Sequence, residues 1–497
     1  MSSNNQNSTQ STNNSIAVSA TLNIIRQLAM IAFPLITYSY ATRVLGASGI
    51  GVYEYAQSII SYFALIAALG VVNYAVREGA EYRNSRTEIS KFASEVFSIN
   101  MIMTFVSYAI MFLMLNISSQ MHSYRVAIML MSISIIFTTL GVDWINSLYE
   151  DYLYLTIRYI AISLVMLVAL FIFVRKPEDI YRYIIISIMA TVINGVLNLI
   201  YVRKYVTLKF TVSLNLKSHA LPVFILFCNQ IALVIYLNSD ITILNYLTDD
   251  ASVGIYGVAA KIYTMIKTLI NAAIFVVIPR FSEYVLKGDD RFVTGLKKLL
   301  SPLFTVLLPA CVGLYFYARE AALLVAGGEF ADSAIPLRVL AVALLFAVLA
   351  CYFANAIVMP CKLEKYFLIS TIIAAVTNIV LNFIMIPKMG MVAAAITTLI
   401  AEVIVFVMLV IVASKRVKLK EIVDGRDFLT AIIGSALVGV LCYATKSIVG
   451  ETDNILITFA EIVVILVIYG VLLVAMKNSA ARLFVQLIKD KLSVKAK

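Results

Sequence analysis

Two twelve-residue stretches decide the fold of this 497-residue chain: SGIGVYEYAQSI at 48–59 and ASVGIYGVAAKI at 251–262. At a constant offset of 203 residues, Gly51 aligns with Gly254, Tyr53 with Tyr256, Ala56 with Ala259 and Ile59 with Ile262. Ile50/Val253 and Val52/Ile255 are near matches. Each copy opens a long apolar run. A window of about 19 residues predicts fourteen such spans, at 18–42, 50–75, 91–115, 125–148, 153–174, 180–201, 219–245, 253–279, 299–318, 334–359, 366–386, 390–413, 428–448 and 454–476. The two copies open the second and the eighth, so the repeating unit is six helices. Six is even, so both units start on the same side of the membrane. The repeat is therefore parallel, with its pseudo-two-fold axis along the membrane normal. The organisation expected is an all-α polytopic membrane protein with a disordered polar tail over 1–15. Pseudo-symmetric six-helix lobes over 16–210 and 211–420 come next, then two helices and a basic tail over 421–497.

Composition agrees. Hydrophobic residues make up 62% and charged residues 13%, against ~45–50% and ~25% in soluble domains. Mean hydropathy is +0.94. Such a chain has too little polar surface to solvate itself, which excludes a soluble globular enzyme. A transmembrane helix takes ~20 mostly apolar residues, so fourteen of them leave only short connections. Residues 1–15 carry no charged side chain. A secretory signal opens with positive residues, so a polar tail before an uncleaved first helix is expected instead.

Orientation follows from the basic residues. With the N-terminus placed inside, 26 of the 39 Lys and Arg residues fall in inner connections and the C-terminal tail, and nine at outer ends. Both termini are therefore expected in the cytoplasm. The bias also accounts for the net charge of +11. Basic loops of this kind meet anionic lipid headgroups, and no nucleic acid is implied. The five cysteines are scattered without a CxxC, and the two histidines, His122 and His219, form no ligand spacing. No metal site and no cofactor are expected.

Several runs resemble one family. TRVLGASGIGVYEYAQSI (42–59), followed by LGVVNYAVREGA (69–80), resembles the opening of Wzx-type polysaccharide flippases. VGIYGVAAKI (253–262) with Pro279 resembles that family's eighth helix. DWINSLYEDY (143–152) resembles its fourth-helix end, and NIVLNFIMIPKMGMVAAAITTLIAE (378–402) its eleventh-to-twelfth hairpin. The match is similar in kind to the superfamily of multidrug, oligosaccharidyl-lipid and polysaccharide exporters. The resemblance implies a bacterial inner-membrane protein that moves undecaprenyl-pyrophosphate-linked oligosaccharide repeat units to the outer leaflet by alternating access. Capsule, exopolysaccharide or O-antigen would be the product, with a polysaccharide polymerase and glycosyltransferases as partners. Lipid II or teichoic-acid precursor flippases and MATE-type drug or cation antiporters share the fold and stand as alternatives. The lipid II branch carries a denser arginine set in its first two helices, where this chain has Arg26 and Arg43.

Ionisable residues inside the membrane cost at least ~2.5–3.5 kcal/mol each, so they face a cavity or a partner. The eighth span is the richest. At 100° per residue, Lys261, Thr264, Lys267, Thr268 and Asn271 share an arc of about 120°. Lys261 and Lys267 stand about 9 Å apart along the axis at 1.5 Å per residue. Two adjacent anionic groups, as in a pyrophosphate, suit that spacing, and Arg26 of the first span is the third candidate cavity cation. The bland alternative is that the lysines neutralise nearby acids. Asn229, Tyr236 and Asp240 share one face of the seventh span. Glu54, Asp240 and Glu402 are the candidate proton or sodium sites, because acids in a low-dielectric cavity titrate away from their usual range. Asp143 and Arg158 lie near helix ends, where snorkelling toward water is expected. Most tyrosines are expected in interfacial belts.

A cation exporter wants an acidic cavity; lysines with Arg26 favour an anionic cargo. A polytopic polymerase or glycosyltransferase would place its chemistry in a large outer loop, and the outer connections here are short. No GxxxxGK[ST] phosphate loop occurs, so ATP hydrolysis by the chain itself is not expected.

Overall fold

A lipid-facing segment has no water to satisfy its backbone, which leaves the helix as the spanning unit for a chain of this pattern. The computed structural model describes residues 3–211, 216–275, 278–287, 291–450, 454–482 and 486; the side chains of 3–24, 216–226 and a few scattered residues are not among those described. Among the described residues there are helices and connections and no strand. The expected polar tail falls on residues whose side chains lie outside those described.

The chain divides into two compact units, Met1–Gly254 and Ile255–Lys497. The first contains α1 (Ser3–Ala68), α2 (Val71–Tyr82), α3 (Arg86–Ile117), α4 (Ser119–Ser123), α5 (Arg125–Gly141), α6 (Asp143–Leu148), α7 (Tyr152–Phe173), α8 (Ile180–Tyr201) and α9 (Leu216–Leu247). It also holds the first residues of α10 (Asp250–Phe275). The second continues through α11 (Ile278–Lys287), α12 (Arg291–Phe316), α13 (Ala318–Ala326), α14 (Ala334–Phe353), α15 (Glu364–Met389), α16 (Met391–Ser414), α17 (Leu419–Ile422), α18 (Gly425–Val449) and α19 (Ile455–Ala475).

Twelve described helices are long and apolar enough to cross a membrane. They differ by two from the fourteen spans the sequence suggests. The first candidate, Ile25–Ala68, is 44 residues long, about 66 Å at 1.5 Å per residue and twice a bilayer core of ~30 Å. It is broken at Gly46, whose φ of 70° favours glycine; the spans 18–42 and 50–75 are the two sides of this break. The span 219–245 falls on α9, within whose described residues Leu233–Leu247 is a shorter apolar helix. Large apolar side chains such as Phe105, Leu113, Val165 and Val471 stand exposed, as lipid-facing positions do.

The repeat is visible in element order. Val71–Tyr82 and Ile278–Lys287 are short amphipathic helices that each come after a repeat-bearing span, close to the 203-residue offset. The contact between the two motifs is reciprocal. A Cβ on Gly51 would stand 1.8 Å from the carbonyl oxygen of Asp250, and one on Gly254 would stand 2.1 Å from that of Ala47. Ala47 and Asp250 are themselves repeat partners. Glycine is needed at both positions because each helix start packs directly on the other's backbone.

In the first unit, α9 docks on α1 through hydroxyls: Thr242 Oγ1 lies 3.0 Å from both Ser58 Oγ and Tyr62 OH. At one end Asn245 donates to Asp250 Oδ1 and Tyr124 OH at 3.0 Å each, and Gln120 donates to Asn245 Oδ1 at 2.7 Å. These contacts group α9 with the first unit by packing, whereas the sequence repeat assigns it to the same six-span half as α10. In the second unit, the α15–α16 hairpin is pinned by buried Asn378, Asn382 and Thr397. Thr397 Oγ1 donates to Asn382 Oδ1 at 2.6 Å, and Asn382 Nδ2 to Asn378 Oδ1 at 3.1 Å. Helix α19 docks on α12 and on the α12–α13 junction: Tyr469 OH donates to the Thr305 carbonyl at 2.7 Å, and Tyr317 OH to Glu461 Oε2 at 3.0 Å.

Candidate functional site

The polar stripe of the eighth span lies on α10, which is helical throughout. Lys267 meets Glu402 of α16, Nζ to Oε1 at 2.7 Å. Tyr263, one turn before Lys267, donates its hydroxyl to the same Oε1 at 2.8 Å. Lys267 Nζ reaches the Tyr263 hydroxyl at 3.4 Å and stands 5.3 Å from its ring centroid. The Glu402 side chain is 5% exposed and that of Lys267 22%. The Glu402 side chain is thus almost wholly buried, while that of Lys267 is partly exposed. A buried pair of this kind is strongly destabilised if one partner is removed, by about 3–5 kcal/mol, because the other charge is stranded. Cys351 of α14 lies close enough to feel both charges. Immediately beyond it, α14 widens into a π-helical turn, Ala354–Val358, a distortion frequent at functional sites.

The remaining stripe residues are arranged around this pair. Lys261 is half-buried. Thr264 and Thr268 are exposed, and the Thr268 hydroxyl is spent on the Thr264 carbonyl at 2.8 Å. Asn271 is buried, and its Oδ1 has no hydrogen-bond partner among the described residues. Thr398 of α16, one turn before Glu402, meets Tyr256 OH at 3.5 Å.

In the first unit, Arg26 is half-buried with its Nε unpaired among the described residues, and Tyr159 of α7 lies in its field. Glu54 is buried, its Oε1 unpaired among the described residues, beside Tyr38, Tyr53 and Tyr183. Asp240 is buried on α9, two residues before the Thr242 hydroxyl that joins α9 to α1. Tyr236 is half-buried. Asn229 lies outside the described side chains. Among the described residues no group of three or more His, Cys, Asp or Glu could hold a metal ion.

Two sequence expectations change. Arg158 does not snorkel: its side chain is 5% exposed, stacks under the Tyr154 ring and pairs at 2.9 Å with Asp143 Oδ1, whose own side chain is half exposed. The aromatic shelter and a partner at the water edge replace extension of the guanidinium toward water. Tyr263 was a tyrosine like any other in the sequence, yet it hydrogen-bonds to Glu402. Its spacing of four from Lys267 was the available signal, since i and i+4 share a face.

Outside the membrane-spanning helices the titratable groups are tied into local networks. Burial raises the carboxyl of Asp151, but hydrogen bonds from Tyr205 and Tyr201 at 2.6 and 2.7 Å outweigh it and hold the group below its usual range. Burial and that same carboxylate push Tyr205 up to about 12. Lys297, 3.0 Å away, holds Asp424 below the ordinary carboxylate range.

The family model described as "Polysaccharide biosynthesis protein" matches residues 15–285, more than half of the chain. The "Putative O-antigen transporter" of Escherichia coli (strain K12) is 23% identical over 270 residues, covering 54% of this chain and 65% of that protein. The chain therefore matches just under two thirds of that relative's length. Among solved structures, "Lipid II flippase MurJ, inward closed conformation" aligns with a TM-score of 0.70 at 18% identity, over 91% of this chain and 98% of that one. An inward-facing multidrug resistance MATE family transporter of the MOP superfamily aligns with a TM-score of 0.54 at 15% identity, over 84% and 98%. At these identities what is shared is the fold, and it is the all-α exporter fold that the repeat and the hydropathy indicate.

Proposed function

The chain belongs to the polysaccharide biosynthesis protein family, and on that premise we propose that it is a flippase for undecaprenyl-pyrophosphate-linked oligosaccharide repeat units, working by alternating access in a bacterial inner membrane with both termini in the cytoplasm. The observation that carries this reading is Lys267. A lysine in a spanning helix, partly exposed and paired with an almost wholly buried carboxylate, is costly to insert and suits an anion that competes for it. Lys261 supplies further positive charge for the diphosphate, while Thr264 and Asn271 offer hydrogen bonds; Arg26 is a candidate cation of the first unit. Lysine holds phosphate as a point charge and arginine as a fork.

Glu402 gives the cycle a second state. While the site is empty it neutralises Lys267. A diphosphate that takes Lys267 leaves a buried carboxylate without its counter-charge, and that carboxylate then takes up a proton or sodium ion. Glu54 and Asp240 are the further coupling candidates. A charge crossing ~100 mV supplies ~2.3 kcal/mol, a useful bias for a conformational step.

The test is genetic complementation of a strain that lacks its repeat-unit flippase. Lys261→Arg and Lys267→Arg retain polysaccharide export; the Lys261→Ala/Lys267→Ala double variant abolishes it when compared at matched membrane levels. Full complementation by the double alanine variant would overturn the role of the stripe.

A further inference from the structure

After α8 the chain does not leave the first unit at once. Residues 206–211 run extended along α3, held by a ladder of serine hydroxyls. Thr207, Lys209 and Thr211 donate their backbone N–H groups to Ser90, Ser94 and Ser98 at 3.0, 3.1 and 2.9 Å. The fit is geometric. Two residues of extended chain advance about 6.8 Å, and four residues of helix about 6.0 Å, so every second strand residue meets a serine one turn further on. Ser94 also donates to the Thr207 carbonyl at 3.4 Å, and Arg86 Nη2 donates to the Arg203 carbonyl at 3.0 Å.

The ladder fixes one wall of a cavity of about 530 Å³ whose other wall is the first turns of α3. Arg86 and Lys91 stand on the helix and Lys209 on the strap, and Thr87 also lines the cavity. Among the described residues none of the three cations is in an ion pair. The acid of the lining, Glu95, is buried in the wall. The bowl carries a surplus of two positive charges and is rich in hydroxyls. No aromatic ring is found among its described lining residues, so nothing there would stack a nucleobase. Both connections that form it are among those the positive-inside bias assigns to the cytoplasm, where lipid headgroups lie within reach. Its volume is in the range of small-molecule sites, ~300–1,000 Å³, too large for one phosphate and enough for a phosphate-bearing headgroup.

We propose that this cavity binds the phosphate-bearing headgroup of an inner-leaflet amphiphile, with Arg86, Lys91 and Lys209 as its anion ligands and the serine ladder as the device that holds Lys209 opposite the other two. Two sources share this chemistry, the diphosphate of a prenyl-linked cargo and the phosphodiester of a bulk anionic phospholipid. The inference needs no assumption about transport.

The experiment measures binding of geranyl diphosphate and of dihexanoyl phosphatidylglycerol to the purified full chain in a neutral detergent. Lys91→Ala/Lys209→Ala should weaken binding at least tenfold. Ser94→Ala should weaken it severalfold with every charge retained, because it loosens the strap under Lys209. Lys415→Ala/Lys420→Ala, which removes two positive charges from another basic connection, should leave affinity unchanged. Thermal unfolding of each variant is followed in parallel, so that a fold defect is not read as a binding defect. Loss confined to the diphosphate identifies a cargo site, and loss confined to the phosphodiester or common to both identifies a lipid headgroup site. Equal weakening by Lys415→Ala/Lys420→Ala, or wild-type affinity in Lys91→Ala/Lys209→Ala, would overturn the proposal.

Discussion

Replacing Gly51 with alanine places a methyl group 1.8 Å from the Asp250 carbonyl oxygen, 2.6 Å from its carbon and 2.9 Å from its Cα. Side-chain carbons essentially never approach closer than 3.0 Å, so the two helix starts must part by more than about 1 Å. Every atom in the way is backbone, and no rotamer change relieves the clash. Overpacking typically costs ~1–3 kcal/mol, and here the upper end applies, a factor of roughly 150 in the folded population at ~1.4 kcal/mol per tenfold. Gly254→Ala meets the Ala47 carbonyl at 2.1 Å and should cost nearly as much. Both variants open one contact, so the double variant should cost clearly less than the sum. Gly470→Ala on α19, with nothing within 4 Å, is the control and should be neutral or slightly stabilising. Thermal unfolding in detergent and steady-state membrane levels are the assays. Wild-type stability in both Gly51→Ala and Gly254→Ala would refute the reciprocal contact.

Three further outcomes are expected. Glu402→Gln removes the counter-charge of Lys267, so a soluble diphosphate should bind at least fivefold tighter by calorimetry, while ion-coupled transport falls. Asp143→Asn removes the half-exposed partner of the buried Arg158 and should cost about 1–2 kcal/mol in thermal unfolding, whereas Arg158→Met with Asp143→Asn recovers part of it. Asp424→Asn preserves the N-cap of α18 and isolates the charge. Because Lys297 depresses the Asp424 carboxyl, its stabilisation is complete above the ordinary value of ~3.9 and is lost as pH falls through the lower folded value. The variant should be less stable than wild type near neutrality and converge with it in acid.

The repeat was legible because two glycine-bearing helix starts survive at a fixed offset, and the reason is now structural: each packs on the other's backbone. The break at Gly46 was legible as a gap between two apolar runs, and the chain leaves helical geometry there. The short helices α2 and α11 were not, since ten to twelve amphipathic residues register as connection in a window built for spans. At the candidate site, Lys267 and Glu402 were both singled out, one for cargo and one for ions. Their pairing needed the packing of α10 on α16, which no single-helix projection contains. Arg158 differs because a position near a helix end favours snorkelling, while the Tyr154 ring shelters the guanidinium and the half-exposed Asp143 pairs with it.

Transport of a diphosphate-linked oligosaccharide by the cations of α10 is tested most directly with the purified protein in liposomes whose outer leaflet holds a fluorescent prenyl-diphosphate oligosaccharide, by tracking its protection from an impermeant quencher. Wild-type and Lys267→Arg vesicles should shield about half the label within the assay, and Lys261→Ala/Lys267→Ala vesicles should behave like protein-free ones. Equal rates for wild type and the double alanine variant, or no protection above protein-free vesicles for wild type, would contradict transport by these cations.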